Sequence, residues 1–181
     1  MSDDLAPSYQ QALQASEVSH ALRRDLIECW ITVSNSGGAV GFPFPPVSRR
    51  EVEPVADQLI EGLEPQFSRL LLAMVDGVLA GWLNIRREAN PVVMHWGTVR
   101  SVQTHPRFRG RGIGAGLMNR VRQVAREEMG LEQLHLAARA GMGLEEFYGR
   151  LGWREIGRWP GALRFGPGDD RDEALMLLAP L

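Results

Sequence analysis

Lysine and paired cysteines are absent from this sequence. All twenty basic residues are arginine, and there is one cysteine, Cys29. A lone cysteine excludes an internal disulfide and any multi-cysteine metal site, so we predict no bound metal. Cys29 lies between Leu26-Ile27 and Trp30, and this apolar setting predicts a small buried residue rather than a nucleophile.

Long apolar runs and a large excess of one charge are also lacking. No segment approaches the roughly 20 apolar residues that span a bilayer, and the acidic, polar start of the chain has no signal-peptide pattern. The net charge of −2 gives no basic excess for binding nucleic acid. We therefore expect a cytoplasmic protein that binds neither a membrane nor nucleic acid.

The composition predicts one globular domain. Of 181 residues, 44% are hydrophobic and 23% are charged, which suits a single hydrophobic core. We assign residues 1–181 to one domain, with residues 1–15 as a weakly ordered N-terminus.

Periodicity and turn residues predict the order of the elements. Ser16 is the expected N-cap of the first helix, and Ser48 with Glu51 forms a capping box before the second. Asp76-Gly77 joins two apolar runs as a hairpin. The expected strands are 9–13, 69–75, 78–85, 92–104, 134–138, 153–159 and 173–178; the expected helices are 17–33, 48–63, 112–129 and 144–151; residues 160–172 are expected to form a loop. This order predicts an α/β (α+β) fold, one mixed sheet with helices on both faces.

A glycine-rich segment after the fourth long apolar run carries the strongest functional signal. The segment consists of Val102, Gln103, Thr104 and then, after a short turn, Arg109, Gly110, Arg111, Gly112, Ile113, Gly114 and Ala115. Backbone N–H groups at a helix start lack partners, and glycines let a phosphate approach them. Arginines add complementary charge. The segment therefore predicts a pyrophosphate site.

Two other interpretations of this segment are weaker. A purely structural turn does not need four glycines between 110 and 116. The spacing Gly110-x-Gly112-x-x-Ala115 also matches a dinucleotide fingerprint, but the turn at 104–109 is too long. In addition, no acidic residue follows the next strand, at 137–139.

The third interpretation is a resemblance. The sequence at 109–114 resembles the Q/R-x-x-G-x-G/A acetyl-CoA motif of the GNAT superfamily, and residues 146–153 resemble its F-Y-x-x-L-G-F/W motif. The resemblance covers residues 68–181 well and 20–67 loosely. Short matches at 39–42, 71–75, 135–136 and 159–161 are similar to tabtoxin resistance acetyltransferases.

The resemblance implies how acetyl-CoA, the co-substrate, would bind. Its pantetheine arm is expected to pair with the backbone of Val102, Gln103 and Thr104, where the strand should diverge from strand 134–138 and splay the sheet. The pyrophosphate is expected on the N–H groups of 109–114, with Ala115 and Phe147 completing the site.

The resemblance also assigns catalytic roles. Tyr148 matches the general acid of the family, with Phe147 beside it. The family's basic glutamate falls near Thr98, yet residues 92–109 contain no carboxylate. We therefore expect a water chain held by Thr98, with the strand and turn histidines as alternatives: His95, His105 and His135.

The implied function is transfer of an acetyl group from acetyl-CoA to a primary amine of a small molecule by direct attack. The alternatives are acetylation of a protein N-terminus or side chain, and a non-catalytic acyl-CoA-binding module. Asp169, Asp170 and Asp172 are expected in a solvated turn; facing the site, they would suit a cationic acceptor. The chain is expected to act as a monomer or homodimer.

Overall fold

Seven strands and four α-helices make up the part of the chain that the computed structural model describes, residues 6–38, 41–42 and 45–181. Positions 39 and 40 of the match at 39–42 lie outside the described residues. The strands are β1 (Ser8–Ala12), β2 (Ser68–Val75), β3 (Val78–Arg87), β4 (Trp96–Thr104), β5 (Gln133–Arg139), β6 (Arg154–Gly166) and β7 (Asp169–Leu178). The helices are α1 (His20–Asn35), α2 (Arg49–Glu61), α3 (Ile113–Gln123) and α4 (Leu144–Arg150).

All seven strands form one sheet in the order β1-β2-β3-β4-β5-β7-β6. Only β4 and β5 run parallel, and the other neighbours pair antiparallel. One buried cluster joins α1 and α2 to one face of the sheet, and another joins α3 and α4 to the opposite face. The predicted fold class is confirmed. No helix among the described residues is long and apolar enough to cross a membrane.

Three local features were predicted correctly from the sequence: the β2–β3 turn, the capping box of α2 and the burial of Cys29. Asp76 and Gly77 have φ angles of 52° and 75° and close the hairpin of β2 and β3. Ser48 and Glu51 form the expected capping box of α2. Cys29 is only 2% exposed, and burial raises the pKa of its thiol to about 12, which confirms a buried apolar role.

The predicted start of the first helix is wrong. Ser19, not Ser16, is the N-cap, and its hydroxyl accepts a hydrogen bond from the Leu22 N–H at 3.1 Å. Ser16 lies in a separate 3₁₀ turn. The Glu17 carboxylate accepts the Leu13 N–H at 2.8 Å and so holds this turn apart from the helix.

Two long predicted elements are shorter or less regular than expected. Strand 92–104 begins only at Trp96, because the Asn90 side chain accepts the Val92 N–H at 3.1 Å and forms a turn. Helix 112–129 is α-helical to Gln123 and ends in a wider π turn, Val124–Glu128. Both changes lie at element ends, where periodicity is least informative.

The predicted loop 160–172 is also wrong, since most of it belongs to the β6–β7 hairpin. Leu163 pairs with Arg171, and Arg164 pairs with Asp170. A shift of register between Trp159 and Leu163 accommodates Pro160 and Gly161 in a bulge, so turn-forming residues sit inside a strand.

Gly116 allows the N-terminal strand to contact α3. A Cβ atom at position 116 would lie 1.6 Å from the Tyr9 hydroxyl oxygen and 2.5 Å from its Cζ. Tyr9 is half-buried on β1 and packs against the α3 side of the core. Packing against Tyr9 therefore explains Gly116, the fourth glycine of the glycine-rich segment.

We expect Gly116→Ala to lower the free energy of unfolding by about 1–3 kcal/mol, because the added methyl group displaces Tyr9. Gly149→Ala is the matched control: Gly149 is helical, and a Cβ there meets nothing within 4 Å. That control should gain up to about 1 kcal/mol from helix propensity. Denaturant melts of both variants, and of Tyr9→Ala/Gly116→Ala, provide the test. A cost of Gly116→Ala that persists without the Tyr9 ring would contradict the contact.

Candidate active site

A cavity of 1530 Å³ opens where β4 and β5 separate. The two strands pair only at Trp96–Gln133, Gly97–Leu134 and Thr98–His135, and beyond this point β5 pairs with β7 alone. The cavity runs along β4 from Thr98 to Thr104, past the end of β5, to the first turn of α3. The predicted divergence of the two strands is present.

The separation leaves one edge of β4 without a neighbouring strand. From Val99 onward its other edge still pairs with β3, across a bulge at Ser101, which has a φ of 54°. Val102, Gln103 and Thr104, the predicted pantetheine residues, all line the cavity. An edge of unpaired N–H and C=O groups can accept an extended ligand that carries amides.

The glycine-rich turn supplies free N–H groups at the far end of the cavity. Gly110 and Gly112 have φ angles of 78° and 77°, and Gly112 is the N-cap of α3. A Cβ at either glycine would meet nothing within 4 Å, so the backbone conformation, rather than crowding, selects glycine there. Within the described part of the chain, five N–H groups of this turn donate no hydrogen bond: those of Gly110, Gly112, Ile113, Gly114 and Ala115.

The predicted residues of this turn differ in what they present to the cavity. Arg109 and Ala115 line it, whereas the side chain of Ile113 is 1% exposed and lies in the core. Arg111 lies over the Phe108 ring at 5.9 Å and is not a lining residue. Free N–H groups, a helix N-terminus and a nearby arginine fit a diphosphate.

Gln103 has an unusual environment. The residue is 1% exposed, and neither amide atom has a hydrogen-bond partner among the residues that the structure describes. Leaving such groups buried and unpaired costs about 1–3 kcal/mol each. Gln103 is among the residues that line the cavity, so these two unpaired atoms lie next to it.

Phe147 and Tyr148 lie where α4 meets the cavity. Phe147 packs over the turn, since a Cβ at Gly114 would lie 3.3 Å from its Cζ. Tyr148 is 6% exposed between Phe147 and Trp153, and burial raises the pKa of its phenol to about 12. Its hydroxyl bonds to no described residue, and the side chain lines the cavity. A protonated phenol therefore borders the space.

None of the three histidines lines the cavity. His95 is exposed in the turn before β4, and His105 caps a 3₁₀ turn by accepting the Arg107 N–H at 3.2 Å. His135 stacks on Trp96 at 4.5 Å, and burial, followed by the charge of His95, lowers its pKa. Thr98, by contrast, lines the cavity and is half-buried.

Sequence reasoning missed Glu173, which is the one carboxylate lining this cavity among the described residues. It lies on β7 opposite Arg139 of β5. Its position emerges only from strand register. The sequence predicts a strand at 173–178 but not which strand it pairs with, so it does not place Glu173 opposite Arg139.

The three preceding aspartates bond to other residues of the β6–β7 hairpin. Arg164 donates to both oxygens of Asp170 at 2.6 and 2.8 Å, and Arg171 pairs with Asp169. Asp172 accepts the Gly161 N–H at 3.0 Å. The expectation of a loop is wrong, and none of the three lines the cavity.

Solved structures of low sequence identity share this fold. A Salmonella typhimurium protein solved with its cofactor acetyl-CoA has 17% identity and a TM-score of 0.71, covering 97% of this chain and 94% of its own. The ribosomal-protein-S18-alanine N-acetyltransferase of Escherichia coli has 15% identity, a TM-score of 0.70 and the same coverage. A structure assigned as a phosphinothricin N-acetyltransferase has 19% identity and a TM-score of 0.71, covering 95% of this chain and 98% of its own.

A family model provides the more direct assignment. The model described as the acetyltransferase (GNAT) family matches residues 20–153. This range includes α1 and α2, the diverging strands β4 and β5, and the glycine-rich turn. The match spans well over half of the chain. The protein therefore belongs to the GNAT acetyltransferase family.

Proposed function

We propose that this protein transfers an acetyl group from acetyl-CoA to the primary amine of a small molecule by direct attack. The observation that carries the proposal is the cleft between β4 and β5, which ends at five free N–H groups of the glycine-rich turn. An unpaired strand edge that leads to an anion site matches a ligand with amides at one end and a diphosphate at the other.

Each part of the cleft has a defined role in the proposal. The backbone of Val102, Gln103 and Thr104 pairs with the pantetheine amides, and the turn at 109–115 binds the pyrophosphate. Arg109 and Arg111 add positive charge there. Phe147, packed over Gly114, forms a wall between the turn and the reacting end.

Two proton transfers complete the reaction. Acetyl-CoA supplies a thioester whose carbonyl carbon the amine attacks. Tyr148 holds a proton at its hydroxyl and donates it to the departing sulfur. The amine, with a pKa of about 10.4 in its free form, must lose a proton first. Water held by Thr98 removes that proton, and Glu173 adds a carboxylate at the same cavity.

The acceptor class has competing support. The E. coli protein is named for an alanine of ribosomal protein S18, which favours a protein acceptor. The relative assigned to phosphinothricin favours a small amine and agrees with the proposed likeness to tabtoxin resistance enzymes. We favour a small molecule acted on in the cytoplasm by a monomer or homodimer.

Turnover with a panel of amines tests the proposal. Purified protein with acetyl-CoA should release free thiol and add one acetyl group, detected by mass, to a small primary amine. An acetylated product found only with peptides would show that the acceptor is a protein and not a small molecule. Tight acetyl-CoA binding without any product would indicate a binding module, and no binding at all would remove the proposal.

A further inference from the structure

Strand register places several charged side chains on the same face of the sheet. Arg86 of β3 lies opposite Thr98 of β4, and Asn84 lies opposite Arg100. Residues two apart on a strand share a face, so Arg86 and Arg100 flank Thr98 on the side away from α3. On β5 the same face carries Arg139, four residues beyond the partner of Thr98.

The charges that line this part of the cavity are mostly positive. Arg109 belongs to the proposed pyrophosphate turn, and Arg164 is neutralised by Asp170. Three guanidinium groups then stand against one carboxylate: Arg86, Arg100, Arg139 and Glu173. The aspartates that suggested a cationic acceptor are paired elsewhere. The charge balance therefore favours an anion.

These guanidinium groups retain unused hydrogen-bonding capacity. The side chains of Arg86 and Arg100 form no hydrogen bond or ion pair with any described residue. Arg139 donates through one nitrogen to the Gly37 carbonyl at 2.6 Å and lies over the Phe165 ring at 4.6 Å. Its Nε is buried without a partner. Two unpaired arginines thus border Thr98, and a third is incompletely bonded nearby.

We infer that the acceptor is a primary amine that carries a carboxylate, and that Arg86 and Arg100 bind this carboxylate while Thr98 between them faces the nitrogen. The inference rests on the proposed acetyl transfer and names its substrate class. A planar guanidinium fork matches a carboxylate with two parallel hydrogen bonds. The carboxylate fixes the molecule at one side of Thr98, so its amine is presented toward the parted end of β4.

The test compares amino acids with their own amides, which differ only in the negative charge. Wild-type protein should acetylate the acid of at least one pair. Arg86→Gln and Arg100→Gln should each lower kcat/KM for that acid by about 10–100-fold, mainly through KM, the loss expected for a charge-assisted bond. The amide should change less than about twofold, because it has no such bond to lose. Arg164→Gln, an arginine at the same cavity already paired with Asp170, is the matched control and should leave both substrates unchanged.

A second measurement does not depend on turnover. The N-acetylated amino acid, as product, should bind wild-type protein by calorimetry and bind either arginine variant about tenfold or more weakly. Equal losses for acid and amide, or a preference for amides, would overturn the inference. Acetylation of only cationic or neutral amines would also overturn it and would leave the proposed transfer standing. Failure to bind acetyl-CoA would remove the proposed function itself.

Discussion

Gly112→Glu should lower the affinity for acetyl-CoA by more than about 100-fold. The substitution places a carboxylate at the N-cap of α3, where the free N–H groups are proposed to bind a diphosphate. Like charges brought together at a binding site cost several kcal/mol, and each 1.4 kcal/mol is about tenfold in affinity. Isothermal calorimetry with acetyl-CoA measures the effect directly.

Backbone strain must be separated from charge in that experiment. Any side chain at φ 77° costs roughly 1–2 kcal/mol of stability. Gly77→Glu carries the same cost at φ 75° in the β2–β3 hairpin, away from the cavity, and should bind acetyl-CoA normally. Gly112→Ala adds strain without charge and should lose far less affinity than Gly112→Glu. Wild-type affinity in Gly112→Glu would remove the pyrophosphate site from this turn.

Tyr148→Phe should lower turnover by about 100–10,000-fold, which is the range expected when a general acid is lost. The change keeps the ring packed between Phe147 and Trp153 and deletes only the hydroxyl. Affinity for acetyl-CoA should therefore hardly change. Single-turnover measurements, in which chemistry limits the rate, provide the test.

The pKa of Tyr148 adds a pH signature. Burial raises that pKa to about 12, so the phenol keeps its proton through the neutral and mildly alkaline range. The wild-type rate should not fall there through loss of the acid. A thioester with a more acidic leaving thiol should shrink the effect of Tyr148→Phe, because its sulfur needs less protonation.

Tyr9→Phe is the control for Tyr148→Phe, since Tyr9 is the only other tyrosine in the sequence and lies on the far edge strand. It should keep normal turnover. Full turnover in Tyr148→Phe would assign the acid to water. A joint loss of affinity and turnover would assign Tyr148 a packing role instead.

Elements fixed by neighbouring residues could be predicted from the sequence. The Asp76-Gly77 turn and the Ser48–Glu51 box are formed by contacts a few residues apart, so composition reveals them. The glycine-rich turn is local in the same sense. Its placement at the end of an unpaired strand edge followed from family resemblance.

Features set by contacts between distant segments could not be predicted. The hairpin of β6 and β7 is an exception: its pairs, such as Arg164–Asp170, are close in sequence, but its bulge places Pro160 and Gly161 inside a strand, so turn-forming residues predict a loop there. Glu173, Arg86 and Arg100 come together only through the register of separate strands. Periodicity gives a strand's two faces but not which neighbour lies beside it. The residues on the acceptor side of the cavity could therefore not be predicted from the sequence.

Because only three residue pairs join β4 to β5, we expect the sheet to separate more easily there than between its other strands. Among the described residues, these are the only strand-to-strand pairs between the four strands β1–β4 and the three strands β5–β7. A ligand that hydrogen-bonds along the open edge of β4 would replace the missing bonds between strands and so resist further separation of β4 from β5. Under the proposed function, we expect the sheet to resist separation at this point more strongly with acetyl-CoA bound than without it.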